Sequence, residues 1–286
     1  MTILISGSSG FLGKNLIKKI ESNNIKYFIC SNRIKKRKNF IHINSTAKKT
    51  TIKKYKNKFK YIIHLATLYD NELDLDIDIY NANIIFGIKL FKFAEETNAK
   101  YFFNLSTVLS PNLNKYSFTK DVFLKHIYNF NKGKIKIINL NLDIMFGYKD
   151  GRFFDNFLYN LLILNKTIKL SKCNQFRNIS PVDTIVNQII FILKNINSIG
   201  SKSINLGSRY EIRLKEFIWV IISELKNINN DNYNRKLLFG SLPNRLNERK
   251  FDKFTCDKIL MKKFQSKADF IDSLRQAVQI EIKNYL

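Results

Sequence analysis

Tyr116 and Lys120 are the pair of side chains in this sequence best suited to proton transfer. They stand four residues apart, so they share one face of a helix. An ammonium beside a phenol lowers the phenol pKa toward working pH, and Tyr116 could then exchange a proton with a carbonyl or an alkoxide. Upstream, Ser106 and Thr107 end an apolar run, and a hydroxyl there could hydrogen-bond the same substrate oxygen. These positions predict acid–base chemistry at a carbonyl group.

A glycine-rich loop at the N-terminus predicts a dinucleotide site. The apolar run Thr2–Ser6 is followed by a loop with glycines at every third position, and apolar residues at helical spacing come next. Glycines let the backbone turn sharply and approach a pyrophosphate, while the helix N-terminus supplies N–H donors and a partial positive charge. The predicted cofactor-binding residues of this loop are Gly7, Ser9, Gly10, Phe11, Leu12 and Gly13.

The end of the second predicted strand, Ile25–Cys30, bears on the choice of cofactor. An acidic residue there binds the ribose 2′-OH of NAD, whereas an arginine pairs with the 2′-phosphate of NADP. The stretch contains Asn32 and Arg33 and no carboxylate. The sequence therefore favours NADP(H) over NAD(H), although a basic surface loop would look the same.

Strands and helices alternate along the chain, which predicts an α/β fold with a doubly wound parallel sheet, because parallel strands need crossover helices. We expect a Rossmann-like dinucleotide-binding domain with the catalytic helix over residues 1–147. Residues 148–286 form mainly a smaller C-terminal α/β substrate-binding lobe, with part of 178–210 returning to the first domain. The predicted elements are strands Thr2–Ser6, Ile25–Cys30, Phe40–Asn44, Tyr61–Leu65, Lys100–Leu105, Ile135–Leu142, Thr167–Leu170 and Ser203–Leu206, and helices Asp78–Asn98, Tyr116–Asn129, Phe153–Leu164, Pro181–Lys194 and Leu214–Leu225.

Composition limits the classes of function. The net charge of +26 comes from 49 Lys and Arg against 23 Asp and Glu. The lysines are mostly scattered and accompany many Asn, Ile, Phe and Tyr residues, so a solvated, codon-biased surface explains the charge better than a nucleic-acid site. Three widely spaced cysteines (Cys30, Cys173 and Cys256) indicate neither a disulfide framework nor a metal site. With no secretory leader and no apolar span, we expect a cytoplasmic protein without membrane or nucleic-acid partners.

Together these motifs resemble the extended short-chain dehydrogenase/reductase family, in its nucleotide-sugar epimerase, dehydratase and reductase branch. The resemblance covers nearly the whole chain. It rests on these segments in family order: the glycine loop, His64-Leu65-Ala66-Thr67, Asn83, Ser106-Thr107, Tyr116-x-x-x-Lys120, Met145-Phe146-Gly147, Phe176-Arg177 to Asp183, Ile204 to Gly207, and Arg245-x-x-Glu248 ahead of Asp257.

The resemblance implies a role for each matching residue. Thr107 would polarise the substrate, Tyr116 would be the acid, and Lys120 would tune Tyr116 and hold the nicotinamide ribose. Arg177 and Arg245 would clamp a nucleotide diphosphate. The resemblance adds Leu65, Ala66 and Thr67 to the cofactor site and Phe146 and Glu248 to the substrate site. His42 and His64 are read as structural.

Departures from the family pattern reduce the number of reactions that the resemblance implies. Val108 and Leu109 follow Thr107 where dehydratases carry an acid pair, and no cysteine stands there as in the 3,5-epimerase/reductases. The remaining motifs look like the 4-ketoreductase subgroup of CDP-abequose and CDP-paratose synthases. That resemblance implies NADPH-dependent reduction of the 4-keto group of a nucleotide-linked deoxysugar for surface polysaccharide, by a homodimer. The alternatives are a 4-epimerase that retains NAD and a catalytically idle NADP-binding regulatory or interaction protein.

Overall fold

The computed structural model describes residues 2–32, 39–43, 49–69, 75–199, 202–229, 233–244, 254, 256–260 and 266–286. Two compact units divide the chain: residues 1–141 with 189–204, and residues 142–188 with 205–286. Which unit binds which ligand stays a prediction.

The first unit is built on a seven-stranded sheet within the described residues. Its strands are β1 (Thr2–Ser6), β2 (Lys26–Ser31), β3 (Phe40–His42), β4 (Tyr61–His64), β5 (Tyr101–Thr107) and β6 (Lys136–Leu142), with β11 (Ser203–Asn205) on the outer edge. The spatial order is β11-β6-β5-β4-β1-β2-β3, and the pairs β1–β2, β1–β4, β2–β3 and β4–β5 are parallel. From β1 the chain adds β2 and β3 on one side and then crosses over to add β4, β5 and β6 on the other side. In a doubly wound sheet, ligands bind at the carboxyl ends of the strands where the order reverses, which here is between β1 and β4.

The helices of the first unit are α1 (Phe11–Ser22), α2 (Lys49–Tyr55), α3 (Asp76–Tyr80), α4 (Phe86–Glu96) and α5 (Lys115–Phe130). A π-helical turn over Asn81–Ile85 joins α3 to α4. Helix α1 buries Leu12, Leu16, Ile17 and Ile20, as the spacing of its apolar residues predicts. The expected helix over Asp78–Asn98 exists but contains that π turn, and Ile85, expected to be buried, is 42% exposed.

The second unit contains β7 (Ile144–Phe146), β8 (Ile168–Leu170), β9 (Phe176–Arg177), β10 (Ile179–Pro181), β12 (Ile212–Arg213) and β13 (Leu237–Phe239). These strands form three pairs: β10 with β7, β12 with β9, and β13 with β8. Its helices are α6 (Phe153–Leu158), α8 (Leu214–Asn229) and α9 (Lys267–Lys283), and α7 (Val182–Lys194) spans the division between the units. Helix α6 continues in a second π turn, Tyr159–Ile163.

Candidate functional site: a glycine cradle and a Tyr–Lys helix

The glycine loop adopts a conformation that side chains would block. Gly7 has a φ of +72°, which favours glycine. A Cβ on Gly7 would lie 2.5 Å from the backbone nitrogen of Ala66, and one on Gly13 would lie 2.1 Å from the carbonyl oxygen of Gly7. Gly7 therefore packs against the backbone of the loop after β4, and Gly13 packs against the backbone of its own loop.

Gly10 serves a different purpose from its two neighbours. It is the N-cap of α1 and makes no side-chain cap, and the first turn of α1 carries no acidic residue. A Cβ there would lie 3.3 Å from the Gly7 carbonyl oxygen, a tight contact but a much milder one than those at Gly7 and Gly13. Unoccupied N–H donors and the positive end of the helix dipole suit an anionic group. The cradle thus fits the diphosphate of a dinucleotide, with Ser9 and Gly10 exposed and Leu12 facing the core.

Ser6 and His64 lie side by side at the ends of β1 and β4, where their Cα atoms are register partners. The Ser6 hydroxyl and His64 Nδ1 are hydrogen-bonded at 2.7 Å, and the Ala66 backbone N–H donates to Ser6 Oγ at 3.4 Å. Burial, followed by the charge of Lys120, places the His64 pKa well below its usual 6.5. His64 is therefore neutral, as a structural histidine should be.

The loop after β4 carries the predicted cofactor residues Leu65, Ala66 and Thr67. Asn83 holds this loop from the π turn: its Oδ1 accepts from the Thr67 hydroxyl at 3.1 Å and the Leu68 N–H at 2.6 Å. Its Nδ2 donates to the Leu68 carbonyl at 2.8 Å. Because Asn83 is buried, these bonds fix the loop rather than exchange with water.

At the end of β2, Asn32 is exposed and its carbonyl accepts a 2.9 Å hydrogen bond from His42 Nε2. Arg33, on which the preference for NADP(H) rests, lies outside the described residues.

Helix α5 carries the acid–base pair on one face. Its N-terminus is fixed by a reciprocal capping box between Asn114 and Ser117, which starts the helix one residue before Tyr116. Tyr116 and Lys120 are both buried, and burial lowers the Lys120 pKa to about 8. At neutral pH Lys120 is still mostly an ammonium, so it can favour the phenolate of a neighbouring tyrosine.

Thr107 ends β5, the strand against which α5 packs. Its Oγ1 accepts a hydrogen bond from the Leu109 N–H at 3.2 Å. A hydroxyl that accepts in this way still has its own hydrogen to donate, so Thr107 can act as a donor to a substrate oxygen at the carboxyl edge of the sheet.

Of the predicted substrate residues, Thr107 lies in the first unit, and Phe146 and Arg177 lie in the second. Arg177 is buried on β9, where one Nη1–H donates to the Phe176 carbonyl at 3.0 Å. The Phe146 side chain is 1% exposed and packs against Phe154 and Phe217, which leaves it little surface for a ligand. Arg245 and Glu248 lie outside the described residues.

The sequence did not predict the contacts of two residues at the site, Asn83 and Tyr69. Asn83 was noted as a motif position, but no pattern shows that its amide ties a loop to α5. Tyr69 received no role, yet its ring stacks on that of Tyr116 with the centroids 4.4 Å apart. Contacts between distant segments leave no signal in spacing or composition.

The described residues contain no cluster of His, Cys, Asp and Glu suited to a metal ion, and no helix among them is both long and apolar enough to span a membrane.

The sheet order, the glycine cradle and the Tyr–Lys helix define a nicotinamide-dinucleotide-dependent α/β protein. The model of the NAD dependent epimerase/dehydratase family matches residues 3–207, and the chain belongs to that family. CDP-abequose synthase of Salmonella typhimurium (strain LT2) is 28% identical over 239 residues, covering 76% of this chain and 78% of that protein. CDP-abequose synthase of Salmonella muenchen is 22% identical over 182 residues, 60% of this chain and 62% of that protein.

Solved structures share the fold over the full length of the chain. MoeE5 in complex with UDP-glucose and NAD matches with a TM-score of 0.75 at 14% identity, and both chains are covered completely. UDP-glucuronic acid 4-epimerase from Bacillus cereus, in complex with UDP-glucuronic acid and NAD, matches with a TM-score of 0.73 at 17% identity, again over both whole chains.

Proposed function

We propose that this protein reduces the 4-keto group of a nucleotide-linked deoxysugar. The observation that carries the proposal is the arrangement on α5: Tyr116 and Lys120 are buried on one face of a helix that packs against β5, the strand ending in Thr107. The similarity to two CDP-abequose synthases supports a deoxysugar substrate.

In this mechanism the residues of the chain bind and orient the substrate and move one proton. Tyr116 donates its phenolic proton to the carbonyl oxygen as that oxygen gains negative charge. Thr107 donates a hydrogen bond to the same oxygen, and the Lys120 ammonium holds Tyr116 ready to lose its proton. The loop of Gly7, Gly10 and Gly13 would hold a nicotinamide dinucleotide, which would supply the hydride when bound. Arg177 and Arg245 are proposed to hold the nucleotide diphosphate.

Support for a nicotinamide dinucleotide cofactor is stronger than support for the view that this cofactor carries the 2′-phosphate of NADP(H). Arg33 favours NADP(H), whereas the similar solved structures contain NAD, which favours NAD(H). Calorimetry with NADPH and NADH decides between them. If Arg33 pairs with a 2′-phosphate, Arg33→Ala weakens NADPH binding by about 1–3 kcal/mol and leaves NADH unchanged; equal affinities of the wild type for both end the NADP assignment.

A 4-epimerase is the second candidate, because the solved epimerase from Bacillus cereus has the same fold. An epimerase retains its dinucleotide and needs no external reductant. One assay separates the two: CDP-, dTDP-, UDP- and GDP-linked 4-keto-6-deoxysugars are offered with reduced nicotinamide, and its absorbance is followed. Stoichiometric loss of absorbance supports a reductase. Conversion of a UDP-hexose without such loss supports an epimerase, and no turnover of any substrate supports a binding protein.

We place this activity in the cytoplasm, in the supply of sugars for surface polysaccharide. The buried cysteines suit a reducing compartment. Fractionation of the native cells, followed by immunoblotting, tests the location.

A further inference from the structure

The phenol ring of Tyr116 is covered on one face by a second tyrosine ring. The rings of Tyr69 and Tyr116 lie with their centroids 4.4 Å apart and their planes inclined by 20°. Tyr116 is 7% exposed and Tyr69 is partly exposed. Tyr69 thus covers one face of the ring of the residue proposed to donate the proton.

The backbone that carries Tyr69 is held in place at the preceding residue. Leu68 is bonded at both of its backbone groups by one side chain, with its N–H donating to Asn83 Oδ1 at 2.6 Å and its carbonyl accepting from Asn83 Nδ2 at 2.8 Å. A side-chain amide that satisfies both groups of one peptide residue fixes its position and its orientation. The ring of Tyr69 therefore projects from the residue that directly follows an anchored one.

The same amide also anchors the helix turn that carries Tyr116. Asn83 Nδ2 donates a second bond to Thr119 Oγ1 at 2.9 Å, and the Thr119 hydroxyl donates to the Tyr116 carbonyl at 2.9 Å. Thr119 and Asn83 are both buried. One asparagine thus bonds both the residue before Tyr69 and the helix turn that carries Tyr116.

The π turn over Asn81–Ile85 makes this possible. A π turn inserts an extra residue into a helix and rotates the side chains that follow, and such turns recur at functional sites. Here Asn83 is 1% exposed whereas Ile85 is 42% exposed, so the turn gives the buried position to the amide.

We propose that Tyr69, anchored through Asn83, is a positioning residue that fixes the ring of Tyr116 for proton donation. This rests on the proposed role of Tyr116. A donor must lie in line with the oxygen it protonates, and small misplacements of a reacting group reduce the rate about 100-fold. A flat ring packed on one face of the phenol restricts its rotation and leaves the hydroxyl edge as the direction of approach.

The test compares Tyr69→Leu, which removes the ring, with Tyr69→Phe, which keeps it. Phe130→Leu is the matched control, since Phe130 is an exposed aromatic at the far end of α5 that packs beside His126. With the keto-sugar nucleotide that the wild type reduces, Tyr69→Leu should lower kcat about 10- to 100-fold with little change in KM, and the solvent deuterium isotope effect on kcat should rise. Tyr69→Phe and Phe130→Leu should stay within about threefold of wild type.

A second measurement needs no substrate. In protein labelled with ¹³C in its tyrosine rings, the Tyr116 resonances are assigned by their loss in Tyr116→Phe. Loss of the stacked ring should shift these resonances and speed the flipping of the Tyr116 ring in Tyr69→Leu, while Phe130→Leu leaves both unchanged.

The outcomes separate the two proposals. Unchanged Tyr116 resonances in Tyr69→Leu overturn the positioning role, and so does a wild-type kcat in that variant. An equal loss of kcat in Tyr69→Phe overturns it too, because the ring is then not what matters. If the wild type reduces no keto-sugar nucleotide, the proposed function fails. The ring-flip measurement then still tests the positioning role: faster flipping of the Tyr116 ring in Tyr69→Leu supports it, and an unchanged flip rate overturns it.

Discussion

His64 Nδ1 lies 2.7 Å from the Ser6 hydroxyl, and this buried bond joins the carboxyl ends of β4 and β1 at the point where the sheet changes direction. The glycine cradle begins one residue after Ser6, and the loop leading to Tyr69 begins one residue after His64. Together with the Ala66 N–H, which also bonds Ser6 Oγ, this hydrogen bond ties the predicted dinucleotide site to the loop that carries Tyr69, whose ring stacks on that of Tyr116 on α5.

The burial of His64, followed by the charge of Lys120, predicts a loss of stability in mild acid. The His64 pKa in the folded protein lies well below 6.5, so between these two values the unfolded chain binds the proton and the folded protein does not. The contribution of neutral His64 to the free energy of unfolding is full above pH 6.5. It is lost as the pH falls below that value, by up to about 1.4 kcal/mol per pH unit. Urea unfolding should show a smaller acid-side loss in His64→Gln than in wild type.

His126→Gln, a substitution of a partly exposed histidine on α5, is the control and should keep the wild-type loss. The account of His64 is wrong if His64→Gln and wild type lose stability in parallel below pH 6.5.

The charged side chain of Lys120 is proposed to serve catalysis, but its burial should lower the free energy of unfolding of the ligand-free protein. Its pKa is about 8 in the fold against 10.5, so charging it below pH 8 costs the ligand-free protein about 3 kcal/mol. Lys120→Met should therefore raise the free energy of unfolding at pH 7 and abolish turnover. Because the cost disappears once the unfolded chain is also neutral, the gain should shrink between pH 8 and pH 10.5.

Denaturation with urea across this pH range measures the gain. Lys125→Met on the same helix removes an exposed lysine paired with Asp121 and should change stability by less than about 0.5 kcal/mol. A Lys120→Met protein that is less stable than wild type at pH 7 would show that the ammonium is not a burden on the fold.

The glycine loop predicts two different effects of adding one methyl group. Gly13→Ala places a Cβ 2.1 Å from the Gly7 carbonyl oxygen, so it should lower the free energy of unfolding by about 2 kcal/mol or more. Gly10→Ala places a Cβ 3.3 Å from the same oxygen, a tight contact that a small backbone shift relieves, so the fold should survive while dinucleotide affinity falls. Urea denaturation and calorimetry with NAD and NADP measure both; unimpaired dinucleotide binding by Gly10→Ala would place the diphosphate elsewhere.

Exposed apolar side chains on α3, the π turn and α5 favour the predicted homodimer. They are Ile77, Tyr80, Ile85 and Phe118, each at least 38% exposed. Such a patch commonly marks a protein interface. Light scattering should give twice the 33.7 kDa chain mass for wild type, and Ile85→Glu should give the monomer. Leu238→Glu, in the second unit, is the control; a wild type that is already monomeric at micromolar concentration contradicts the prediction.

The sequence predicted β1 and α1 from strong local signals, and it missed α9 and the π turn for two different reasons. Strand β1 and helix α1 follow from an apolar run, a glycine loop and helical spacing. Helix α9 was overlooked, although Phe270, Leu274, Val278 and Ile282 repeat every four residues and a capping box at Ser266 starts the helix. That signal was available. The π turn at Asn81–Ile85 was not, since its residues read as ordinary helix.

The candidate site divides in the same way. The glycine cradle and the Tyr116–Lys120 pair were predicted because each is set by spacing within one element. The stacking of Tyr69 on Tyr116 and the bonds of Asn83 depend on how separate loops meet, which no local pattern encodes. The NADP preference and the binding of a nucleotide diphosphate by Arg177 and Arg245 stay predictions, because Arg33 and Arg245 lie outside the described residues.

The most direct test of the account is the effect of Tyr116→Phe on turnover and on dinucleotide binding, measured with the same protein. If Tyr116 donates the proton to the 4-keto oxygen, the substitution should lower kcat for the accepted keto-sugar nucleotide by about 10²–10⁴-fold, because general acid catalysis contributes about that much. Dinucleotide affinity measured by calorimetry should remain near wild type, since the ring still packs on Tyr69. A Tyr116→Phe enzyme that turns over at the wild-type rate would contradict the proposed mechanism.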